Sequence, residues 1–291
     1  MKLDRRTFFK VAGVTAAGLV PASAEAANVV PSKDAMGVLV DTTRCIGCRG
    51  CEAACAEANG LPYTEPAPEV DVFAQWREKG PDAFTVVNRS RFPGLDGAER
   101  YAKTQCLHCV DPACASACPV RALEKTAGGA VVYHAERCMG CRYCMVSCPF
   151  DVPKYQYDRA IPYVRKCTFC ADRQAEGRPP ACTEACPAEA LLFGKREELL
   201  EIAKTRIYQN PDAYVHRVYG EREAGGTSWL TITDVPFESL GLPAVAEEPY
   251  PTFARGALSA VPFVMTLWPP VLMGLYAVAK GRSEGEENGH E

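Results

Sequence analysis

The feature that most constrains this chain is its set of sixteen cysteines, which fall into four quartets with none left over. A prolyl residue directly follows the last cysteine of quartets two, three and four, whereas Ala56 follows the first quartet. So many regularly spaced thiols form either a ligand framework or a cross-link framework, and either one dominates the fold. In chain order the quartets are Cys45, Cys48, Cys51 and Cys55; Cys106, Cys109, Cys114 and Cys118; Cys138, Cys141, Cys144 and Cys148; and Cys167, Cys170, Cys182 and Cys186.

Quartets one and three have the spacing C-x2-C-x2-C-x3-C, which is typical of [4Fe-4S] ligation in bacterial ferredoxins. Three closely spaced thiolates bind three irons of one cubane from a single tight loop, and the fourth cysteine binds the neighbouring cluster. Disulfides are an alternative in exported chains, although they usually staple small domains without a core. Zinc is a second alternative, but it prefers two separated pairs of cysteines to four in one run. The spacing therefore predicts iron–sulfur ligation.

An internal repeat supports this prediction. Residues 38–45 align with residues 131–138, and each segment reads as a short apolar strand that leads into a cysteine loop. Residues 103–106 likewise resemble residues 164–167. Units of this size need their metal to fold. We therefore predict an α+β fold of tandem ferredoxin-like [4Fe-4S] domains over residues 37–193.

The remaining soluble parts of the chain are predicted to be additions to this core. An insertion over 56–105 contains a strand near 84–87, and a small C-terminal extension over 194–235 contains a helix near 195–206 and a strand at 229–233. Residues 236–256, which begin and end near prolines, are predicted to be a linker.

The N-terminus has the pattern of an export signal. Arg5 and Arg6 precede Phe8, Phe9 and Lys10, and an Ala/Gly-rich apolar stretch then leads to a small-residue cleavage sequence. This pattern predicts a twin-arginine signal peptide over residues 1–26, with cleavage after residue 24 or 26. Because cubanes are inserted in the cytoplasm, such a chain must cross the membrane already folded. The expected location is the periplasmic side of the cytoplasmic membrane.

The C-terminal region contains a second membrane signal. Residues 257–279 carry no charge, and as a helix they cover about 35 Å. We therefore expect a transmembrane helix over 257–279 that anchors the chain, followed by a tail over 280–291. A buried core helix and an interfacial segment are the alternatives. Lys280 and Arg282 favour a cytoplasmic C-terminus, with the cysteine-bearing body on the other side.

The sequence predicts neither a catalytic centre nor a nucleic-acid site. The net charge is −4 and no basic stretch is present, which argues against nucleic-acid binding. The four histidines form no base–nucleophile pattern, and His108, between two ligand cysteines, is better explained by packing or by a hydrogen bond to sulfur. We therefore expect a non-catalytic subunit. Basic residues near the quartets could offset cluster charge, although solvated surface charge explains them equally well: Arg44, Arg137, Arg142, Lys154 and Lys166.

The quartets resemble those of the four-cluster Fe–S electron-transfer subunits that accompany molybdopterin oxidoreductases and some hydrogenases. The resemblance implies four [4Fe-4S] clusters as cofactors. It also implies crossed ligand sets, in which quartets one and four share one pair of clusters and quartets two and three share the other. The implied sets are Cys45, Cys48, Cys51 and Cys186 (set one); Cys55, Cys167, Cys170 and Cys182 (set two); Cys106, Cys109, Cys114 and Cys148 (set three); and Cys118, Cys138, Cys141 and Cys144 (set four).

Finer features resemble the members of this family that serve membrane-bound [NiFe] hydrogenases. They are the signal peptide together with the expected C-terminal membrane segment, and residues 105–112, 140–146, 219–223 with 225–227, and 236–240. This resemblance implies electron transfer from a hydrogenase small subunit to an integral-membrane, quinone-reactive subunit. The alternative is the β subunit of a membrane-bound formate dehydrogenase or a related enzyme, which receives electrons from a molybdopterin catalytic subunit.

Overall fold

The computed structural model describes residue 32 and residues 34–67, 69–92 and 98–287. By its contacts the chain divides into two units, 1–30 and 31–291. The signal peptide predicted over 1–26 lies outside the described residues.

Strands and helices alternate along the described chain, which confirms the predicted mixture of both. The strands are β1 (Met36–Asp41), β2 (Val86–Phe92), β3 (Ala98–Thr104), β4 (Leu123–Lys125), β5 (Val131–Tyr133), β6 (Lys154–Tyr155), β7 (Val164–Arg165), β8 (Leu191–Lys195) and β9 (Trp229–Ile232). The α-helices are α1 (Gly50–Asn59), α2 (Ala113–Ser116), α3 (Tyr143–Ser147), α4 (Ala171–Ala175), α5 (Ala181–Glu184), α6 (Arg196–Gln209) and α7 (Tyr250–Glu287). Short 3₁₀ turns occupy Thr42–Arg44, Ala135–Arg137, Pro211–Ala213, Glu223–Gly225 and Phe237–Leu240.

The largest sheet joins the two ends of the cysteine region. Strand β1 lies in its centre, antiparallel to β8 and parallel to β9. Leu39 of β1 is opposite Leu192 of β8 and Leu230 of β9. Because β1 is covered on both faces, it reads as a nearly unbroken apolar run rather than an alternating one. Helix α6 closes one face by packing Leu199 and Ala203 against this sheet.

Each remaining sheet is a two-stranded antiparallel pair. The pairs are β2 with β3, β4 with β5, and β6 with β7. The pair of β2 and β3 forms the hairpin of the predicted insertion, and it begins near the strand expected at 84–87. The other two pairs lie beside quartets two, three and four along the chain, and β5 leads directly into quartet three.

The segment over 236–256, predicted to be a linker, contributes side chains to the core. Phe237, Leu240 and Leu242 are all buried. The ring of Phe237 lies 5.3 Å from the ring of Tyr219, whose hydroxyl donates a hydrogen bond to the carbonyl of Pro243 at 2.7 Å. The extension over 194–235 is likewise joined to the cysteine region through β9. Both segments therefore help to hold the cysteine-bearing strands in place.

Helix α7 covers the segment for which a transmembrane helix was predicted. Over the part of the chain that the structure describes, however, no helix is both long enough and apolar enough to cross a membrane. This finding corrects the expectation of a transmembrane helix over 257–279.

Candidate iron–sulfur centres

The loops of quartets one and three repeat the same backbone path. Strands β1 and β5 each end in a 3₁₀ turn that delivers the first cysteine, with φ/ψ of −72°/120° at Cys45 and −74°/124° at Cys138. Arg49 and Arg142, which follow the second cysteine of each run, both adopt the left-handed conformation, with φ of 60° and 61°. Each precedes a helix: α1 carries Cys51 and Cys55, whereas α3 carries Cys144 and ends just before Cys148. The internal repeat predicted from sequence is confirmed at this level.

Quartets two and four share a second path. His108 and Phe169 precede the second cysteine of each quartet in the left-handed conformation, with φ of 48° and 58°. The third cysteine is then held in a one-turn helix that begins after a proline, α2 for Cys114 and α5 for Cys182. Left-handed residues other than glycine are uncommon and cost free energy. Their repetition at equivalent positions shows that quartets one and three share one loop shape and quartets two and four share another.

None of the sixteen cysteines forms a disulfide. Their exposure follows a pattern, because only Cys48 and Cys141, which are equivalent positions of the repeat, are exposed. The fully buried thiols belong mainly to quartets two and four: Cys55, Cys106, Cys114, Cys144, Cys167 and Cys182.

The first implied ligand set surrounds a cavity. Apart from the thiols, its walls are mostly apolar, and the side chains of Arg49 and Lys103 also reach it. Burial raises the pKa of the Cys45 thiol, and the nearby Cys186 and Cys48 thiols raise it further. The cysteines that line the cavity are Cys45, Cys48, Cys51 and Cys186. A cavity whose walls are four thiols and apolar side chains has the donor set that a cubane requires.

The members of the second set lie near one another although they come from quartets one and four. Helix α1, which carries Cys55, packs against α5, which carries Cys182. Burial raises the pKa of the Cys55 thiol to about 12, and the thiols at Cys182 and Cys170 contribute. Burial also raises the pKa of Cys167 well above its usual value, with Cys55 and Cys182 among its neighbours.

The other two sets show the same proximity. Burial raises the pKa of Cys109 well above its usual value, and the thiols that raise it further are those of Cys114, Cys148 and Cys106. Burial raises the pKa of Cys144 to about 11, and the thiols that contribute there are those of Cys118, Cys138 and Cys141. In both cases the neighbours of one cysteine are the three other members of its implied set.

Electrostatic interactions between thiols of different sets connect the four groups in order. Besides burial, Cys182 of set two raises the pKa of the Cys51 thiol in set one. Cys106 of set three likewise raises the pKa of Cys167 in set two. Cys144 of set four in turn raises the pKa of Cys114 in set three. The ligand sets stay a prediction, but the fold brings the thiols together in the sequence one, two, three, four.

The donor set suits a polynuclear cluster. Thiols with raised pKa values are protonated at neutral pH, so a cationic metal must displace the proton for thiolate to form. Within the described residues, no group of three or more His, Cys, Asp or Glu side chains is placed to hold a single metal ion. In a cubane each thiolate binds a different iron, so the four ligands of one cluster are spread around it.

Three lysines, of which Lys103 and Lys166 are buried and Lys125 is partly buried, lie among the thiols. The Lys103 ammonium donates to Gln105 Oε1 at 2.9 Å and lies 4.3 Å from the centre of the Trp229 ring. Although burial lowers it, the pKa of Lys103 is raised overall by nearby thiols, including Cys182 and Cys51. Lys166 donates to two backbone carbonyls, of Val131 at 2.5 Å and Cys167 at 2.9 Å.

The third lysine, Lys125, donates to the carbonyls of His108 at 2.9 Å and Gly129 at 2.6 Å. Burial lowers its pKa to about 8. Among the described residues, none of these three ammonium groups pairs with a carboxylate. A buried charge without a counter-charge is costly. Thiolate-bound clusters, which are anionic, would supply that counter-charge, so the lysines also fit the expected group.

Of the basic residues that the sequence singled out, Lys166 lies in the core. The side chains of Arg44 and Arg137 are 43% and 46% exposed and pair with surface glutamates. Arg142 lies over the rings of Tyr155 and Tyr157, and Lys154 pairs with Asp151.

Sequence reasoning did not identify Lys103 and Lys125. A signal for Lys103 was present, because it lies three residues before Cys106 in the segment that resembles residues 164–167. Lys125 had no such signal, since it reaches the core from the short strand β4.

Comparison with known proteins agrees with this geometry. Residues 98–196 match the family model of a 4Fe-4S dicluster domain. A protein of Nitratidesulfovibrio vulgaris is 47% identical over 97% of this chain and 78% of its own length. The hydrogenase-2 operon protein HybA of Shigella flexneri is 37% identical over 83% of this chain and 84% of its own.

The iron–sulfur subunit of formate dehydrogenase-O from Escherichia coli is 34% identical over 86% of both chains. Relatives of both kinds therefore match along most of their length, including regions outside the cysteine quartets. With its sixteen free cysteines and repeated cluster loops, this chain belongs to the family of 4Fe-4S electron-transfer subunits that includes HybA and the formate dehydrogenase iron–sulfur subunits.

Proposed function

We propose that this chain carries electrons through four [4Fe-4S] clusters, held by the four ligand sets, between partner subunits of a periplasm-facing [NiFe] hydrogenase. The donor would be the hydrogenase small subunit, and the acceptor an integral-membrane, quinone-reactive subunit. When bound, the clusters supply one-electron carriers. The chain contributes the ligands, the order of the sites and an apolar surrounding that excludes water.

The observation that carries this proposal is the distribution of exposure among the cysteines. The exposed Cys48 belongs to set one and the exposed Cys141 to set four, which are the two ends of the row. Next to them, Ile46 and Met139 are 63% and 64% exposed. Sets two and three hold most of the buried thiols. An electron path that is insulated in its middle and reaches the surface at both ends suits a relay between two partners.

Relatives of both kinds, hydrogenase and formate dehydrogenase, support an electron-transfer role for this chain. HybA is 37% identical to this chain, and the formate dehydrogenase-O subunit is 34% identical. Residues 219–227 and 236–240, which resemble the hydrogenase type, pack together through Tyr219 and Phe237. The formate dehydrogenase role is the second candidate because of that comparable identity.

The experiment removes this subunit and compares electron donors. Without it, hydrogen-dependent quinone reduction should be lost, whereas hydrogen oxidation with a soluble dye should continue, because the dye takes electrons upstream. The same split with formate instead of hydrogen would support the second candidate. Quinone reduction at full rate without the subunit would contradict both, and the isolated subunit should oxidise neither donor.

We further propose that the chain is exported by the twin-arginine route and acts on the periplasmic side. The support is the sequence of residues 1–26 and the need to insert clusters before export. Changing Arg5 and Arg6 to lysine should retain the precursor in the cytoplasm, because the signal requires the arginine pair and not only its charge. The matched control changes Lys2 and Lys10 to arginine and should be exported. Export of the first variant would refute the route.

A further inference from the structure

His108 has a buried nitrogen without a partner. Its side chain has no exposed surface, and within the described residues its Nε2 atom has no hydrogen-bond partner. The residue lies between Cys106 and Cys109 in the loop of quartet two. Buried polar groups are nearly always satisfied, so an exception inside a ligand loop points to an acceptor other than the described side chains and backbone.

The hydrogen bond at the other ring nitrogen determines where the proton lies. The backbone N–H of Val131 donates to His108 Nδ1 at 2.9 Å, so Nδ1 is the acceptor. A ring nitrogen that accepts a hydrogen bond carries no proton, so the ring is neutral and its single proton is on Nε2. His108 thus presents a fixed N–H donor.

Three further contacts fix the orientation of this donor. The ring stacks on Phe169, with centres 4.9 Å apart and planes inclined by 25°. The His108 carbonyl accepts from the Lys125 ammonium at 2.9 Å and from the Ser228 N–H at 3.3 Å. These bonds hold the backbone in the left-handed conformation, which a histidine would otherwise avoid. A strained residue that its surroundings hold so firmly is typical of a functional position.

From this geometry we propose that His108 Nε2–H donates a hydrogen bond to a sulfur of the set-three cluster and thereby raises the reduction potential of that cluster. The ligands of this cluster are Cys106, Cys109, Cys114 and Cys148. The proposal rests on the proposed function, since it requires the cluster. Sulfur becomes more negative on reduction, so a donor stabilises the reduced state more than the oxidised state. His108 is then a tuning residue at the step between the two central clusters.

The test is an EPR-monitored redox titration of the full chain with its clusters. His108→Phe should lower the potential of one cluster by an amount equivalent to about a tenfold change in its redox equilibrium, or about 59 mV for one electron. His108→Gln can accept from Val131 and still donate, so it should retain most of the wild-type potential. The matched control is His134→Phe, which changes a partly exposed histidine beside Glu124 and Glu136 and should shift nothing.

Unchanged potentials in a fully loaded His108→Phe variant would overturn the proposal, whereas absence of clusters from the wild-type chain would overturn the proposed function instead. Should His108→Phe lose iron, the wild-type chain with ¹⁵N-labelled histidine decides the question. Pulsed EPR should then detect ¹⁵N coupling to a reduced cluster, and His108→Gln should abolish it. Absence of the coupling, or its persistence in His108→Gln, would refute the hydrogen bond.

Discussion

Replacing Glu52 with glutamine tests how the insertion is fastened to the cluster-binding helix. Glu52 lies on α1 between Cys51 and Cys55, and it is only 6% exposed. Its carboxylate accepts from Arg49 at 2.8 Å, from Arg77 at 2.7 Å and from the Val87 N–H at 2.5 Å. One carboxylate therefore joins the quartet-one loop to strand β2 and to the segment before it.

The size of the effect follows from burial. Glutamine keeps the shape but removes the negative charge, so the buried guanidinium of Arg49 and the partly buried guanidinium of Arg77 lose their counter-charge. Breaking a buried ion pair from one side costs about 3–5 kcal/mol. A domain has a free energy of unfolding of about 5–15 kcal/mol in total. The variant should therefore lose a large share of its stability and release iron at a much lower urea concentration.

The assay is anaerobic urea unfolding, followed by cluster absorbance and by far-UV circular dichroism. The matched control is Glu176→Gln, because Glu176 pairs with Arg178 on the surface, where the two side chains are 61% and 52% exposed. That pair should contribute at most about 1 kcal/mol. A Glu52→Gln variant that unfolds at the same urea concentration as this control would refute the reasoning.

Further predictions concern acid, packing and the crossed ligand sets. The Arg77 and Arg49 hydrogen bonds hold the pKa of Glu52 below its ordinary value of 4.5 despite burial. The ionised carboxylate therefore stabilises the folded state fully above pH 4.5, and this stabilisation is lost as the pH falls through the lower folded-state pKa. Urea unfolding between pH 3 and 7 should show this loss in the wild type and not in Glu52→Gln. Gly47→Ala should reduce the iron content, because the added Cβ would lie 2.5 Å from the Tyr101 ring. Gly60→Ala is the control: its φ is also positive, but a Cβ there would meet nothing within 4 Å, so this variant should retain iron. Cys148→Ser should disturb the spectrum of the cluster held by quartet two, and loss of the cluster held by its own run would contradict the crossing.

Local patterns in the sequence predicted the cluster loops well. The alignment of residues 38–45 with 131–138 anticipated two strands and two loops, and the backbone at Cys45 and Cys138 repeats within a few degrees. Such loops are predictable because cysteine spacing and loop geometry are determined within about ten residues. The strand at β9 was also predicted, but its parallel pairing with β1 was not. Pairing over so long a separation depends on the packing of the whole sheet.

Burial of charge was harder to predict than the loops. Lys103 and Glu52 lie in segments whose sequences resemble ordinary solvated surface, yet both are buried. What separates a buried charge from an exposed one is its set of partners, and these come from distant segments: Arg77 for Glu52, and Trp229 for Lys103. The same reason explains why the sequence predicts a linker around Phe237, although this proline-bounded segment packs in the core.

The central claim is that the sixteen cysteines hold four cubanes. It is tested most directly by measuring iron, acid-labile sulfide and zinc in the anaerobically purified full-length chain, together with its EPR spectrum after reduction. We expect about sixteen irons and as many sulfides per chain, and interacting [4Fe-4S] signals. About eight irons, or zinc in place of iron, would contradict it.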